Sequence, residues 1–166
     1  MILGLSVQAF TAFHVALSVV GLLSGVIVVL GLLNGWRLPG WTALFLVTTI
    51  ATSATGFLFH SPSFGPPQVV GVISLIVLAA AVAAQYIYHL AGRWRVVYVV
   101  TAVLAFYLNA FVGVAQAFQK IPLLHGLAPT GSEPPFLVAQ AAVLALFVVI
   151  AVLSLKRFHP LPVAAA

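Results

Sequence analysis

Long apolar runs, separated by short clusters of Pro, Gly and charged residues, dominate this sequence. Each run reaches the length of about 20 residues that an α-helix needs to cross the hydrocarbon core of a bilayer. Lipid offers no partner to backbone N–H and C=O groups, so a spanning segment must pair them within a helix or a closed barrel. Because the runs lack the strict alternation of barrel strands, they predict transmembrane helices.

The scarcity of charge supports the same conclusion. Charged residues make up 4% of the chain and hydrophobic residues 64%, whereas a soluble domain carries about 25% charged residues. We therefore predict an all-α membrane protein, a bundle of five transmembrane helices that forms one integral membrane domain over residues 1–166. The predicted helices cover roughly 6–33, 41–60, 68–90, 94–119 and 135–157.

The basic residues predict the orientation of these helices. Five of the six Lys and Arg residues fall on one side of the predicted bundle, and Lys120 falls on the other. Basic loops are retained in the cytoplasm, so we expect the N-terminus outside and the C-terminus inside a bacterial inner membrane. The five residues are Arg37, Arg93, Arg95, Lys156 and Arg157. An aromatic belt is predicted near the same side, from Trp36, Trp41, Trp94, Tyr86, Tyr88 and Tyr98.

Polar and small residues recur on single faces of the predicted helices. Helix 1 carries His14, Ser18, Gly21 and Gly25; helix 2 carries Thr48, Thr52, Gly56 and His60; helix 4 carries Asn109, Gly113, Gln116 and Lys120. Such stripes normally pack helices against one another, but intramembrane polar residues also line sites. Both interpretations stay open from the sequence.

Helix geometry places some of these residues at similar depth. At about 1.5 Å per residue, His14, Thr52, Gln116 and Gln140 lie roughly 5 to 12 Å below the outer helix ends. We expect them to line a polar pocket toward the outer leaflet. Its predicted rim is Lys120, His125 and Glu133, the last being the single acidic residue of the chain. Glu133 either pairs with Lys120 or interacts with the start of the fifth helix.

The sequence excludes several chemistries. Without cysteine there are no disulfides, thiolate metal sites or Cys-held iron–sulfur clusters. One carboxylate cannot supply paired acid–base catalysis, and no hydrolase, zinc-protease or phosphate-loop motif occurs. The net charge of +5 lacks the clustered basic and aromatic residues of a nucleic-acid site. We therefore predict a non-catalytic accessory or binding subunit, with the lipid bilayer and other membrane subunits or a second copy as partners.

Two other functions remain open. The first is a membrane redox protein that binds haem b, with His14 and His60 as candidate axial ligands, or a quinone, with His14 and a Gln as head-group partners. The unequal depths of the two histidines disfavour a shared iron. The second is a small-solute or proton transporter, although no carboxylate relay or inverted repeat is visible. The histidines lack short ligand spacing, so no metal site is predicted.

Three strings carry a resemblance to known proteins: TTIATSATGFLFH (48–60), YLNAFVGVAQAFQKIP (107–122) and LAPTGSEPPFLVAQ (127–140). Together they resemble a group of small multi-pass bacterial membrane proteins that carry no assigned function. The resemblance implies a bacterial inner-membrane location and transfers no residue role.

The predicted orientation can be tested with topology reporters fused after the last residue. A C-terminal fluorescent protein that folds only in the cytoplasm should be bright, and alkaline phosphatase at the same place should be inactive. An active phosphatase there would contradict the orientation.

Overall fold

The computed structural model describes residues 1–2, 4–59 and 64–159. Its regular elements in these ranges are helices, which confirms the all-α prediction. The helices are α1 (Val7–Asn34), α2 (Pro39–Gly56), α3 (Pro66–Val82) with a π-helical extension (Ala83–Ile87), α4 (Trp94–Lys120), α5 (Pro122–Leu127) and α6 (Pro134–Arg157).

Four of these helices are long and apolar enough to cross a membrane, namely α1, α3 with its extension, α4 and α6. The chain is thus suited to a multi-pass membrane protein. Helix α2 is not one of the four: its 18 residues reach about 27 Å, and several threonines lower its hydropathy. The fifth span and the orientation of the termini therefore remain predictions.

Several predicted boundaries move in the structure. The second helix ends at Gly56, before the predicted 60. The third changes to π-helical geometry at Ala83 and ends at Ile87, before the predicted 90. Helix α5 lies in a stretch predicted as loop, and it begins at Pro122, where the missing N–H of proline costs nothing.

Helix α4 is the centre of the bundle, because it contacts every other helix. The ring of Phe106 lies directly against the backbone of Gly25 on α1, so that a Cβ added to Gly25 would lie 2.7 Å from it. The same ring packs edge-on against Phe45 of α2, at a centroid distance of 6.1 Å, and Phe147 of α6, at 5.0 Å. One aromatic side chain of α4 thus joins three other helices.

The Gly21–Gly25 pair on α1 allows this close approach, as the small-residue spacing predicts. A Cβ added to Gly21 would lie 3.0 Å from Asn109 Nδ2 and 3.2 Å from Thr49 Oγ1. Hence, at Gly21 and Gly25, the backbone of α1 packs directly against side chains of α2 and α4.

The C-terminal ends of α1 and α6 meet the start of α4 at one end of the bundle, called here the basic end. The Arg95 guanidinium donates to the carbonyls of Leu155 (3.1 Å) and Phe158 (2.7 Å), which end α6. Arg157 donates to the Leu33 carbonyl at 3.4 Å, near the end of α1. Cations at these positions satisfy terminal carbonyls and favour the negative end of the helix.

Gly25→Ala tests the close packing at Phe106. The added Cβ overlaps a ring held on two other sides, so we expect a loss of about 1–3 kcal/mol in the free energy of unfolding. Unfolding by SDS in mixed micelles, followed by circular dichroism, measures it. The control is Gly40→Ala, where a Cβ meets nothing within 4 Å; equal losses in the two variants would contradict the packing.

Candidate functional site

The predicted site residue His14 lies half-buried on α1 and bonds to α2. Its Nδ1 lies 2.8 Å from Thr55 Oγ1. The Thr55 hydroxyl has one proton, and it also lies 2.7 Å from the Ala51 carbonyl and 3.2 Å from the Thr52 carbonyl. Thr55 donates that proton either to His14 Nδ1 or to Ala51; in the second case Thr55 accepts from His14, and the imidazole proton is on Nδ1.

This tautomer leaves His14 Nε2 without a proton. A neutral imidazole nitrogen of this kind accepts a hydrogen bond or ligates a metal, and it donates nothing. No described residue forms a hydrogen bond with Nε2. In the Nδ1-protonated tautomer, the free nitrogen of His14 is therefore an acceptor.

Small and aromatic groups hold the imidazole in place. Phe59 lies edge-on to the ring, with 5.1 Å between the ring centroids. A Cβ added to Gly56 would lie 3.8 Å from His14 Cε1, so α2 offers a small residue beside the ring. Local geometry thus fixes the position of this histidine.

Thr52, another predicted site residue, lies one turn of α2 from Thr55. Its hydroxyl is buried and has no hydrogen-bond partner among the described residues. Thr48 and Thr55 instead donate to the carbonyl four residues earlier, at 2.7 Å in each case. A buried hydroxyl without a hydrogen-bond partner lowers the stability of the fold. Thr52 thus has a free donor and acceptor on α2, the helix that also carries Thr55.

The two predicted glutamines do not meet. Gln116 is exposed on α4. Gln140 is buried on α6, and its Nε2 donates to the Phe111 carbonyl at 3.1 Å, while its Oε1 has no partner among the described residues. The contact of Gln140 joins α4 to α6, whereas that of His14 joins α1 to α2. The structure therefore does not bring all four predicted pocket residues into one contact network.

The predicted rim residues lie at the end opposite to the basic end. Lys120 ends α4, and His125 is exposed on α5. Glu133 is the residue that precedes α6, but its carboxylate turns back to its own loop, where it accepts from the backbone N–H of Thr130 (3.0 Å) and Ser132 (3.1 Å). Glu133 therefore does not cap α6 through a side-chain hydrogen bond.

The hydrogen bonds of the loop determine the charge state of Glu133. Desolvation alone would raise the pKa of this carboxyl, but the bonds from Thr130 and Ser132 outweigh it and lower the pKa to about 2. Glu133 hence stays ionised in mildly acid solution.

His60, the second candidate haem ligand, lies outside the described residues. The described part of the chain contains no group of three or more His, Cys, Asp or Glu side chains that could hold a metal ion. The sequence did not predict Thr55 as a site residue, because Thr55 is not part of the stripe of four-residue spacing on helix 2. Its spacing of three residues from Thr52 nevertheless places it on a neighbouring part of the same helix face.

Comparison with protein-family models, with curated proteins and with solved structures found no match for this chain.

The tautomer of His14 can be measured by ¹⁵N NMR of histidine-labelled protein in detergent at neutral pH. We expect the His14 resonance pair of an Nδ1-protonated ring, because this tautomer lets the Thr55 hydroxyl donate to Ala51 and accept from His14 at the same time. Thr55→Val should lose that tautomer preference and about 1 kcal/mol of unfolding free energy. Thr11→Val is the control, since Thr11 bonds only its own helix at Val7. An Nε2-protonated ring in the parent protein would contradict the assignment.

Proposed function

We propose that this chain is a non-catalytic, multi-pass subunit of a bacterial inner membrane that binds a hydrogen-bond donor at His14. The donor is a hydroxyl group on a membrane-soluble ligand. The contact between His14 Nδ1 and the Thr55 hydroxyl carries the proposal. In the proposed tautomer Nδ1 donates to Thr55, Thr55 donates to Ala51, and Nε2 is left as an acceptor. The unpartnered hydroxyl of Thr52 supplies a second polar group on α2.

An acceptor at Nε2 distinguishes between the oxidised and the reduced form of a quinone-like ligand, which the amino-acid composition cannot do. An oxidised quinone presents carbonyl oxygens, which accept hydrogen bonds and find no donor at Nε2. A quinol or another phenolic hydroxyl presents a proton that Nε2 can accept. The proposed ligand is therefore the reduced, hydroxyl-bearing form of a quinone-like molecule rather than the oxidised form.

A single-histidine haem site is the second candidate. Histidines that ligate metal usually donate their other ring N–H to an oxygen, and His14 does so to Thr55. A visible absorption spectrum of the purified protein, before and after dithionite, decides this alternative. A Soret band that disappears in His14→Phe supports haem, and a featureless spectrum removes it.

Binding of decyl-ubiquinol tests the main proposal. Equilibrium dialysis against the detergent-solubilised chain should show the quinol bound about 3- to 10-fold more tightly than its dimethyl ether, because the ether has no proton to donate. His14→Phe should remove that difference. Ser18→Ala is the matched control on α1, since the Ser18 hydroxyl bonds only its own helix, at His14 O.

Equal affinity for the quinol and its ether, or no binding of either, would contradict a donor-selective site at His14. Circular dichroism of each variant separates loss of binding from loss of the helical fold.

A further inference from the structure

A cavity of about 250 Å³ lies at the basic end, between the ends of α1, α2, α4 and the π-helical segment. Its rim includes Trp36, which is 62% exposed, and Arg37. Its floor includes Tyr98 and Phe158, each 2% exposed. The cavity therefore runs from an exposed, cationic rim to a buried floor.

One nitrogen of the guanidinium at the rim lacks a partner. Arg37 Nε is buried and makes no hydrogen bond within the described part of the chain. The single acidic side chain of the sequence, Glu133, precedes α6, and the 24 residues of that helix separate it from the basic end by about 36 Å. The Glu133 carboxylate is thus too far away to pair with Arg37, and an anion at the rim would give the buried Nε an acceptor.

The wall offers further hydrogen-bond donors. Tyr98 OH and Thr42 Oγ1 lie 3.3 Å apart, so one hydroxyl donates to the other, and the second keeps its proton. Gln85 adds an amide from the π-helical segment. Segments of this type are frequent at functional sites.

The backbone that follows the π-helical segment is strained. His89 and Leu90 have φ angles of 47° and 62°, which residues other than glycine rarely adopt. Leu90 also lines the cavity. Strain of this kind persists where the surrounding structure imposes it, and such positions cluster at binding sites.

The lower part of the cavity is apolar, with Val28, Leu32 and Leu90 in its lining. A ligand that fits both parts has an anionic end and a hydrocarbon end. The rim also lies where helices end, at the level of the lipid headgroups, and Trp41 and Tyr86, both 45% exposed, suit that interface.

We propose that the cavity is a binding site for an anionic phospholipid, with its phosphate on Arg37 and the first part of one acyl chain over Leu32 and Leu90. The planar guanidinium matches the geometry of phosphate oxygens, and basic pockets between membrane helices favour such headgroups. The site lies at the opposite end of the bundle from His14. The lipid site can therefore be tested independently of the function proposed above.

Native mass spectrometry of the full chain tests this site. The protein is reconstituted in vesicles of equimolar phosphatidylglycerol and phosphatidylcholine with identical acyl chains, and is then extracted in mild detergent. The parent protein should retain one phosphatidylglycerol per chain. Arg37→Gln should weaken that retention about tenfold, since a charge-assisted hydrogen bond is lost, and Arg37→Lys should weaken it less.

Arg93→Gln is the matched control, because Arg93 is exposed at the same end and is not part of the cavity lining. Its retention of phosphatidylglycerol should stay within about twofold of the parent. Equal losses in Arg93→Gln and Arg37→Gln would mean attraction to general surface charge and overturn the site.

Two measurements on the parent protein keep the test independent of the folding of any variant. Absence of a stoichiometric phosphatidylglycerol overturns the proposal outright. Displacement of that lipid by an equal concentration of oleate would identify a fatty-acid site, and displacement by the deacylated headgroup alone would remove the role of the apolar floor; either result overturns the phospholipid assignment.

Discussion

Every polar atom that this chain places in a bilayer needs a partner from the chain or from a bound molecule, because lipid supplies none. Several hydroxyls meet this constraint locally. Ser24, Thr48 and Thr101 donate to the carbonyl four residues earlier in their helices, at 2.6 to 2.7 Å. Some buried polar atoms have no hydrogen-bond partner among the described residues, and these include Arg37 Nε and Thr52 Oγ1. Packing within the chain does not account for them. Arg37 lines the proposed lipid site, and Thr52 lies on the helix that carries Thr55.

The packing around α4 sets the positions of both sites. Phe106 can contact three helices because Gly25 leaves its backbone bare. That contact brings α1 against α2 and α4. Nearer the N-terminus of α1, the packing of α1 against α2 places His14 beside Thr55. Toward the basic end, Arg95 and Arg157 tie the last turns of α6 and α1 together. The cavity beside Arg37 lies among these ends.

Apolar runs and breaker residues predicted the helical fold well, since the bilayer allows few alternatives. Pro122 begins an additional short helix that hydropathy could not indicate. Equal depth along separate helices suggested that Gln116 would meet Gln140, yet depth does not fix the rotation of a helix, and Gln116 is exposed. The predicted aromatic belt likewise included Tyr98, which is buried at 2% exposure and bonds Thr42. From the sequence, Arg37 predicted only the orientation of the helices. The burial of its Nε depends on elements that are distant in sequence.

Both proposals require that bound molecules form the hydrogen bonds that the unpaired polar atoms of this chain lack. A crystal structure grown in a lipidic mesophase, from protein purified with native lipids, tests this requirement most directly. The account predicts non-protein density within hydrogen-bond distance of Arg37 Nε and of His14 Nε2. Density for the polypeptide alone, with both groups turned to partners inside the chain, would contradict it.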